Sequence, residues 1–294
     1  MLRVTEINAC CGRQFFVKRK HIWNSASSAV KEGKVHGIIH AYILIFYAKS
    51  CNDTLFLYQL LRYNIYMYSF SRCREPGCAH FAVSDIDNNG NLIESADFCF
   101  AHTADKDALQ KKIYSYIETH DKIVGLNASG LTFANIDLTN KRFYGCDFSN
   151  CLFSGIKTSG LRVRLTNFSY SVFADCNFLK SNVLFSSYAG AKFSHVIFTG
   201  SDMVQNNFCG ISSFQSSFDD SDLYSSYFIN AKLIDTSFRN CNIKETVFYE
   251  ITQQNVSFRQ SNTNAAIFDK RGSALFTGLQ ELDVPQGVQK GPSL

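Results

Sequence analysis

Between Phe133 and Phe268, large apolar residues recur at every fifth position. Of the 28 positions in that register, 24 carry a large apolar side chain and 16 of those are Phe. Thr158, Ser213, Gln253 and Thr263 are the four departures. A period of five fits neither the 3.6-residue turn of a helix nor the two-residue alternation of a flat strand. A fixed repeat kept over so long a stretch marks a solenoid. Two residues before each large position the side chain is mostly small, as at Cys146, Cys151, Ser171, Cys176, Ser181, Ser201, Ser221 and Cys241. Leu131, Ile136, Ile156, Leu161, Ile211 and Ile251 are larger but apolar there, and only Lys141 and Asn206 look misplaced. Small and large residues that both point inward can fill a narrow interior without overlap.

Stretches such as Cys176-Asn177-Phe178-Leu179-Lys180 and Ser221-Asp222-Leu223-Tyr224-Ser225 resemble the repeat of the pentapeptide repeat family. The resemblance covers residues 131–270 without insertion or deletion. It implies a mainly β fold, a right-handed quadrilateral β-helix with four pentapeptides per coil and about seven coils. At the usual strand spacing the rod would be roughly 30–35 Å long. Inside it the Phe residues would stack in rows. At Thr158 and Ser213 we expect neighbours such as Ile156, Ile211 and Phe214 to fill the space, with no break in the backbone ladder.

Three other regions accompany the rod. Residues 1–66 form a hydrophobic N-terminal extension of uncertain status, 67–130 a small α+β module containing Cys and His, and 271–294 a C-terminal cap and tail. Val35 to Ala48 is a run of 14 residues without formal charge. A membrane span needs about 20, and the run starts too late for a signal peptide. We read residues 35–48 as a buried or surface-docked helix, with membrane association as the alternative. Met67 opens directly into the module, so residues 1–66 read as an extension outside the working protein. The tail holds Pro285, Gly287, Gly291 and Pro292 and should fray. Leu275, Phe276 and Leu279 alone precede it, so the C-terminal edge of the rod is a candidate homodimer contact.

The module carries the one candidate site. Cys73 and Cys78 are followed by Cys99 and His102, and thiolates with an imidazole in two close pairs suit a closed structural Zn²⁺ site. His80 is a substitute ligand, and the alternative is that these Cys are core residues of a small cap. His80–Ile86 and Asn91–Phe98 read as strands around the turn Asp87-Asn88-Asn89-Gly90. Thr103 is placed to cap a helix presenting Leu109, Ile113, Tyr116, Ile117 and His120 on one face. This order resembles the treble-clef zinc fingers, apart from the four residues between Cys73 and Cys78. The helix and Ile123, Val124 and Leu126 are placed to cover the N-terminal end of the rod. Asp85 to Gly90 starts like a calcium loop, but Ala96 stands where the bidentate Glu belongs. His36 and His40 lack the Glu of a metalloprotease motif.

Composition narrows the function. The net charge is +4, and residues 131–270 hold 12 Lys/Arg against 11 Asp/Glu, so no polyelectrolyte partner is demanded. The 11 Cys are odd in number, and four of them (Cys146, Cys151, Cys176, Cys241) occupy the small inward position. That argues for a reducing compartment, and a cytoplasmic, bacterial protein is expected. There is no nucleophile elbow or phosphate-cradling Gly loop, and His195 falls at an outward position. The expectation is a non-enzymatic scaffold that binds an unidentified protein partner. Some pentapeptide repeat proteins mimic DNA and bind gyrase, which is one alternative. Nucleic-acid binding through the zinc module is another, though acidic residues there offset Arg72, Arg74, Lys106, Lys111 and Lys112.

Overall fold

The computed structural model describes residues 71–94 and 96–268. The extension 1–66, the run 35–48, His36, His40 and the tail with Leu275, Phe276 and Leu279 lie outside the described residues. From Lys122 onward the chain winds into a solenoid of about seven coils, each coil pairing in parallel with the residues 20 positions later. Phe133 pairs with Phe153, Phe153 with Phe173 and Phe173 with Phe193. The ladder starts earlier than the Phe register suggested, because Lys122–Val124 pairs with Arg142–Tyr144. Ile123 and Leu126 are already fully buried there, although the aromatic signal has not begun.

A coil needs four corners, and the backbone supplies one every fifth residue. Every such position from Gly125 to Gln260 has a left-handed φ, between +46° and +84°. Between corners the chain is extended, so the small residue and the large residue point in while their neighbours point out. The square cross-section divides the single period-five register into four columns of different chemistry. We name each face after an inward residue. The Phe148 face is aromatic throughout, running Phe148, Phe168, Tyr188, Phe208, Phe228, Phe248 and Phe268. Its rings stack face to face at centroid spacings of 4.7 to 5.5 Å. That spacing is close to the strand separation, so each ring sits over the ring one coil below. The Phe143 face is mostly aliphatic, with Val163, Val183, Met203, Leu223 and Ile243. The other two faces exchange roles. The Phe133 face is aromatic as far as Phe193 and then carries Ser213, Leu233 and Gln253. The Leu138 face starts with Leu138 and Thr158 and is Phe from Phe178 to Phe258.

The departures leave the ladder unbroken: Thr158 pairs with Phe178, and Ser213 lies between Phe193 and Leu233. Ile156 and Ile211 are fully buried as expected. Phe214 is not a filler, being 42% exposed. Strand alternation forces it outward, because it follows the inward Ser213. Ser213 instead hydrogen-bonds Thr236 of the next coil at 3.0 Å.

The small column does more than save space. Ser201 Oγ accepts from Ser181 N–H at 3.0 Å and donates to Phe178 O at 3.0 Å. Ser221 and Ser226 repeat this one coil and one corner on. Each hydroxyl satisfies backbone groups that the corner would strand in an apolar interior. Asn206, which looked misplaced, performs the same task with two atoms. Its Oδ1 accepts from Ser186 N–H and its Nδ2 donates to Val183 O, both at 2.8 Å.

Candidate metal centre and rod faces

The module begins with a bridge between Arg72 and Phe81 that closes the loop holding Cys73 and Cys78. Cys73 N–H donates to His80 O, Cys78 N–H donates to Glu75 O, and Gly77 turns the chain at φ +81°. The second pair sits on a 3₁₀ turn, Phe100–His102, with Cys99 just before it. His102 N–H and Thr103 N–H both donate to Cys99 O at 3.0 Å. Thr103 therefore finishes this turn and does not cap the helix. Asp105 caps it, accepting from Ala108 N–H at 2.9 Å, and helix α1 spans Lys106–Thr119. The hairpin is also shorter than its apolar pattern suggested, reduced to Asp85–Ile86 against Leu92–Ile93. Beyond it the chain leaves the two-strand ladder, and Val83 bonds Phe98 O while accepting from Ala96.

These elements bring the four predicted residues together. The donor atoms of Cys73, Cys78, Cys99 and His102 all lie within 4.8 Å of one another. Cys78 Sγ is 3.8 Å from Cys99 Sγ, and His102 Nδ1 is 3.4 Å from Cys73 Sγ and 3.3 Å from Cys99 Sγ. Tetrahedral coordination with ordinary Zn–S and Zn–N bonds places sulfurs about 3.8 Å apart and sulfur and nitrogen about 3.6 Å apart. The donors are spaced to hold a metal ion. His80 is exposed and stands outside the cluster.

The thiols of the module and of the rod differ in chemistry. At Cys73 the raising effect of burial is outweighed by backbone N–H groups and by His102, and the thiol is drawn down to about 6. Burial raises Cys99, and the adjacent thiols of Cys73 and Cys78 raise it further, as expected where several sulfurs share one centre. In the rod, burial pushes Cys146 and Cys241 up to about 12, so they stay protonated. The buried rod thiols are packing groups. Cys151 and Cys241 donate to Ala128 O and Phe218 O, both at 3.0 Å, taking the part a serine hydroxyl takes elsewhere.

Helix α1 lies over the first coil. Leu109, Ile113 and Ile117 are buried, and Tyr114 stacks on Phe133 at 5.4 Å. The Tyr114 hydroxyl accepts from Ala134 N–H and donates to Thr132 O, which Gln110 also reaches. Asn127, fully buried, joins the module to the first coil through Ser84 and Ala82. Lys141, the other misfit, belongs to the same joint. Its ammonium donates to Glu118 O at 2.7 Å and His120 O at 3.1 Å, at the C-terminal end of α1. A cation there satisfies open carbonyls and suits the helix dipole.

The outer surface is read column by column. On the Phe143 face one outward column runs Lys122, Arg142, Arg162, Asn182, Asp202, Asp222 and Asn242 in register. Beside it runs Val124, Tyr144, Arg164, Leu184, Val204, Tyr224 and Lys244. Among the described residues no column of the rod has more than two acidic residues in succession. His195 is exposed at a corner, between Asp175 at 3.3 Å and Gln215 at 2.7 Å.

No family model matches this sequence, and no curated protein matches it. Among solved structures it is similar to pentapeptide repeat proteins at low identity. A pentapeptide repeat protein (Rfr23) from the cyanobacterium Cyanothece 51142 is 13% identical, covering 40% of this chain and 91% of that one, with a TM-score of 0.28. QnrB1, a plasmid-mediated fluoroquinolone resistance protein, is 15% identical over 52% of this chain and 94% of its own, with a TM-score of 0.29. HetL, involved in heterocyst differentiation regulation in Nostoc sp. strain PCC 7120, is 12% identical over 50% and 89%, with a TM-score of 0.19.

Proposed function

We propose that this protein is a non-enzymatic scaffold: a rigid rod, closed at its N-terminal edge by a zinc-held cap, that presents a flat face to another protein. The observation that carries this reading is the Phe143 face. A charged column stands there beside a mostly apolar and aromatic one, on a backbone that fixes both. Regular stacking makes such a surface extended and rigid, and an apolar strip beside charges is the composition of a protein interface. A DNA mimic would need a continuous acidic column. Nucleic-acid binding through the module has little free charge behind it, since Arg74 pairs with Asp97 at 3.0 Å and Lys112 with Asp85 at 3.1 Å.

Cys73, Cys78, Cys99 and His102 would hold the zinc with no coordination position left for chemistry. Its part is structural. Among described residues 71–104 the buried apolar side chains are Cys73, Ala82, Val83 and Cys99, so two of the four are ligands. A segment with so little core depends on its metal. The cap then covers a strand edge that would otherwise invite end-to-end pairing. The eight described cysteines are all free, which suits a reducing, cytoplasmic setting. Among the described residues no helix is long and apolar enough to cross a membrane.

The test is capture from the source cell, with the intact chain as bait beside a Tyr144→Ala, Tyr224→Ala variant of unchanged melting temperature. A protein retained by the first and lost by the second is expected. Recovery of no protein by either, copies of the bait included, would sink the scaffold reading.

A further inference from the structure

The charged column of the Phe143 face is segregated, and the segregation has a direction. Lys122, Arg142 and Arg162 occupy three consecutive coils in register, and Asp202 and Asp222 occupy two later ones. Like charges one strand apart destabilise a sheet, whereas alternating signs would relieve each other. The acidic half is relieved internally. Asn182 donates to Asp202 Oδ2 at 2.7 Å, and Asn242 donates to Asp222 Oδ1 at 2.9 Å. In the basic half only Lys122 has such a contact, its ammonium lying 5.6 Å from the centre of the Tyr144 ring. Among the described residues, no ion pair involves Lys122, Arg142 or Arg162.

We propose that the partner of this face is a second copy of the chain, docked face to face with its rod antiparallel. This rests on reading the rod as an interaction surface. A two-fold axis lying in the contact plane, perpendicular to the rods, reverses coil order but keeps each column opposite itself. With the axis level between the coils of Arg162 and Asn182, Lys122 meets Asp222 of the other copy and Arg142 meets Asp202. The neighbouring column also meets itself reversed, setting Val124 against Tyr224 and Tyr144 against Val204. A parallel arrangement with the axis along the rods would set the charged column against the apolar one. Six coils at about 4.8 Å give a strip about 30 Å long. A strip of that size falls short of the ~800 Å² per partner of a standard interface, so a dissociation constant in the micromolar range is expected.

The test is sedimentation of the full-length purified chain across micromolar concentrations, with Arg142→Glu and Asp202→Arg variants alone and mixed. The wild type should dimerise, and added salt should weaken the dimer because the matching charges are screened. Arg142→Glu sets two carboxylates against each other in each symmetric pair, and Asp202→Arg sets two cations against each other. Each variant alone should therefore dimerise at least about tenfold more weakly. An equimolar mixture should regain the wild-type affinity, because every 142–202 contact is then between opposite charges. Melting temperatures equal to the wild type show that the variants fold. A wild type that stays monomeric overturns the proposal and leaves the scaffold reading to its own test in the cell. A dimer indifferent to both substitutions, as an end-to-end contact would be, also overturns it. So does a mixture no tighter than the single variants.

Discussion

The rod and its cap are held by opposite means. Across the rod, most coils bury three or four large inward side chains, and their rings contact rings above, below and across the interior. Phe218 alone has ring neighbours in Phe193, Phe198, Phe208, Phe228 and Phe238. Residues 71–104 have little beyond Ala82 and Val83 to bury, while Phe98 and Ile93 are 38% and 42% exposed. The first region should fail gradually as contacts are removed. The second should fail all at once, when one centre is lost. The same residue type shows the contrast, since a rod cysteine fills space and a module cysteine is poised to ligate.

Removing the proposed zinc should separate the two regions most sharply. A strong chelator is expected to abolish hydrogen-exchange protection across residues 71–104 and to leave the amides around Phe198 and Phe218 slow. About one Zn²⁺ per chain should be found by elemental analysis, and Cys99→Ser should behave like the chelated protein. Chelated protein with a fully protected module would mean that the cap has a core of its own. Phe198→Ala should cost about 3–5 kcal/mol in urea unfolding, the range for truncating a buried Phe. It should leave the zinc content unchanged.

Ser201 tests whether the small column is there for its size or its hydroxyl. Ser201→Ala removes an acceptor for Ser181 N–H and a donor for Phe178 O, and should cost about 1–3 kcal/mol. No loss would show that size alone matters. Ser201→Phe should destabilise by a different route, through overpacking.

Asp219 offers a titration. Burial raises its pKa, but Arg239 and Ser237 outweigh burial and hold the carboxyl below the usual carboxylate range. A depressed folded value gives stability that is present above the unfolded pKa, near 3.9, and lost as pH falls through the folded one. The wild type should therefore lose stability more steeply than Asp219→Asn below about pH 4. Arg239 is 59% exposed, so solvent screening keeps this effect small. Parallel acid profiles would remove Asp219 from the account. Least of all, Lys192→Ala on an outward position should change stability by no more than about 0.5 kcal/mol. A loss equal to that of Phe198→Ala would put the inward register in error.

Much of this was legible in the chain because a solenoid writes one local rule many times over. A single Phe with a small residue before it says little, but the same pair repeated in register specifies an interior. The four residues of the candidate centre were readable for a related reason, since few patterns besides a metal site need that donor set. Lys141 and Asn206 were not readable. Each looks wrong in its column, and each is explained by a carbonyl that only the folded coil brings near. The corners were missed although their signal was present. Of the 28 left-handed positions, eight are Gly, six Asn and three Asp, the residues that tolerate that conformation best. The exchange of aromatic residues between the Phe133 and Leu138 faces was hidden because a five-residue frame superimposes all four columns.

The left-handed corner at every fifth residue makes length a counted quantity. Inserting one residue would turn the large side chain outward and move a corner residue into the interior for every pentad that follows. Five added residues would keep the alternation but turn all later faces by a quarter, sliding Asp202 and Asp222 off the column of Lys122 and Arg142. Only twenty restore both the interior and the compass bearing of the surface. The rod can therefore be lengthened or shortened by whole coils, as a ruler is cut at its graduations, and any partner that reads two distant points on one face measures in that unit.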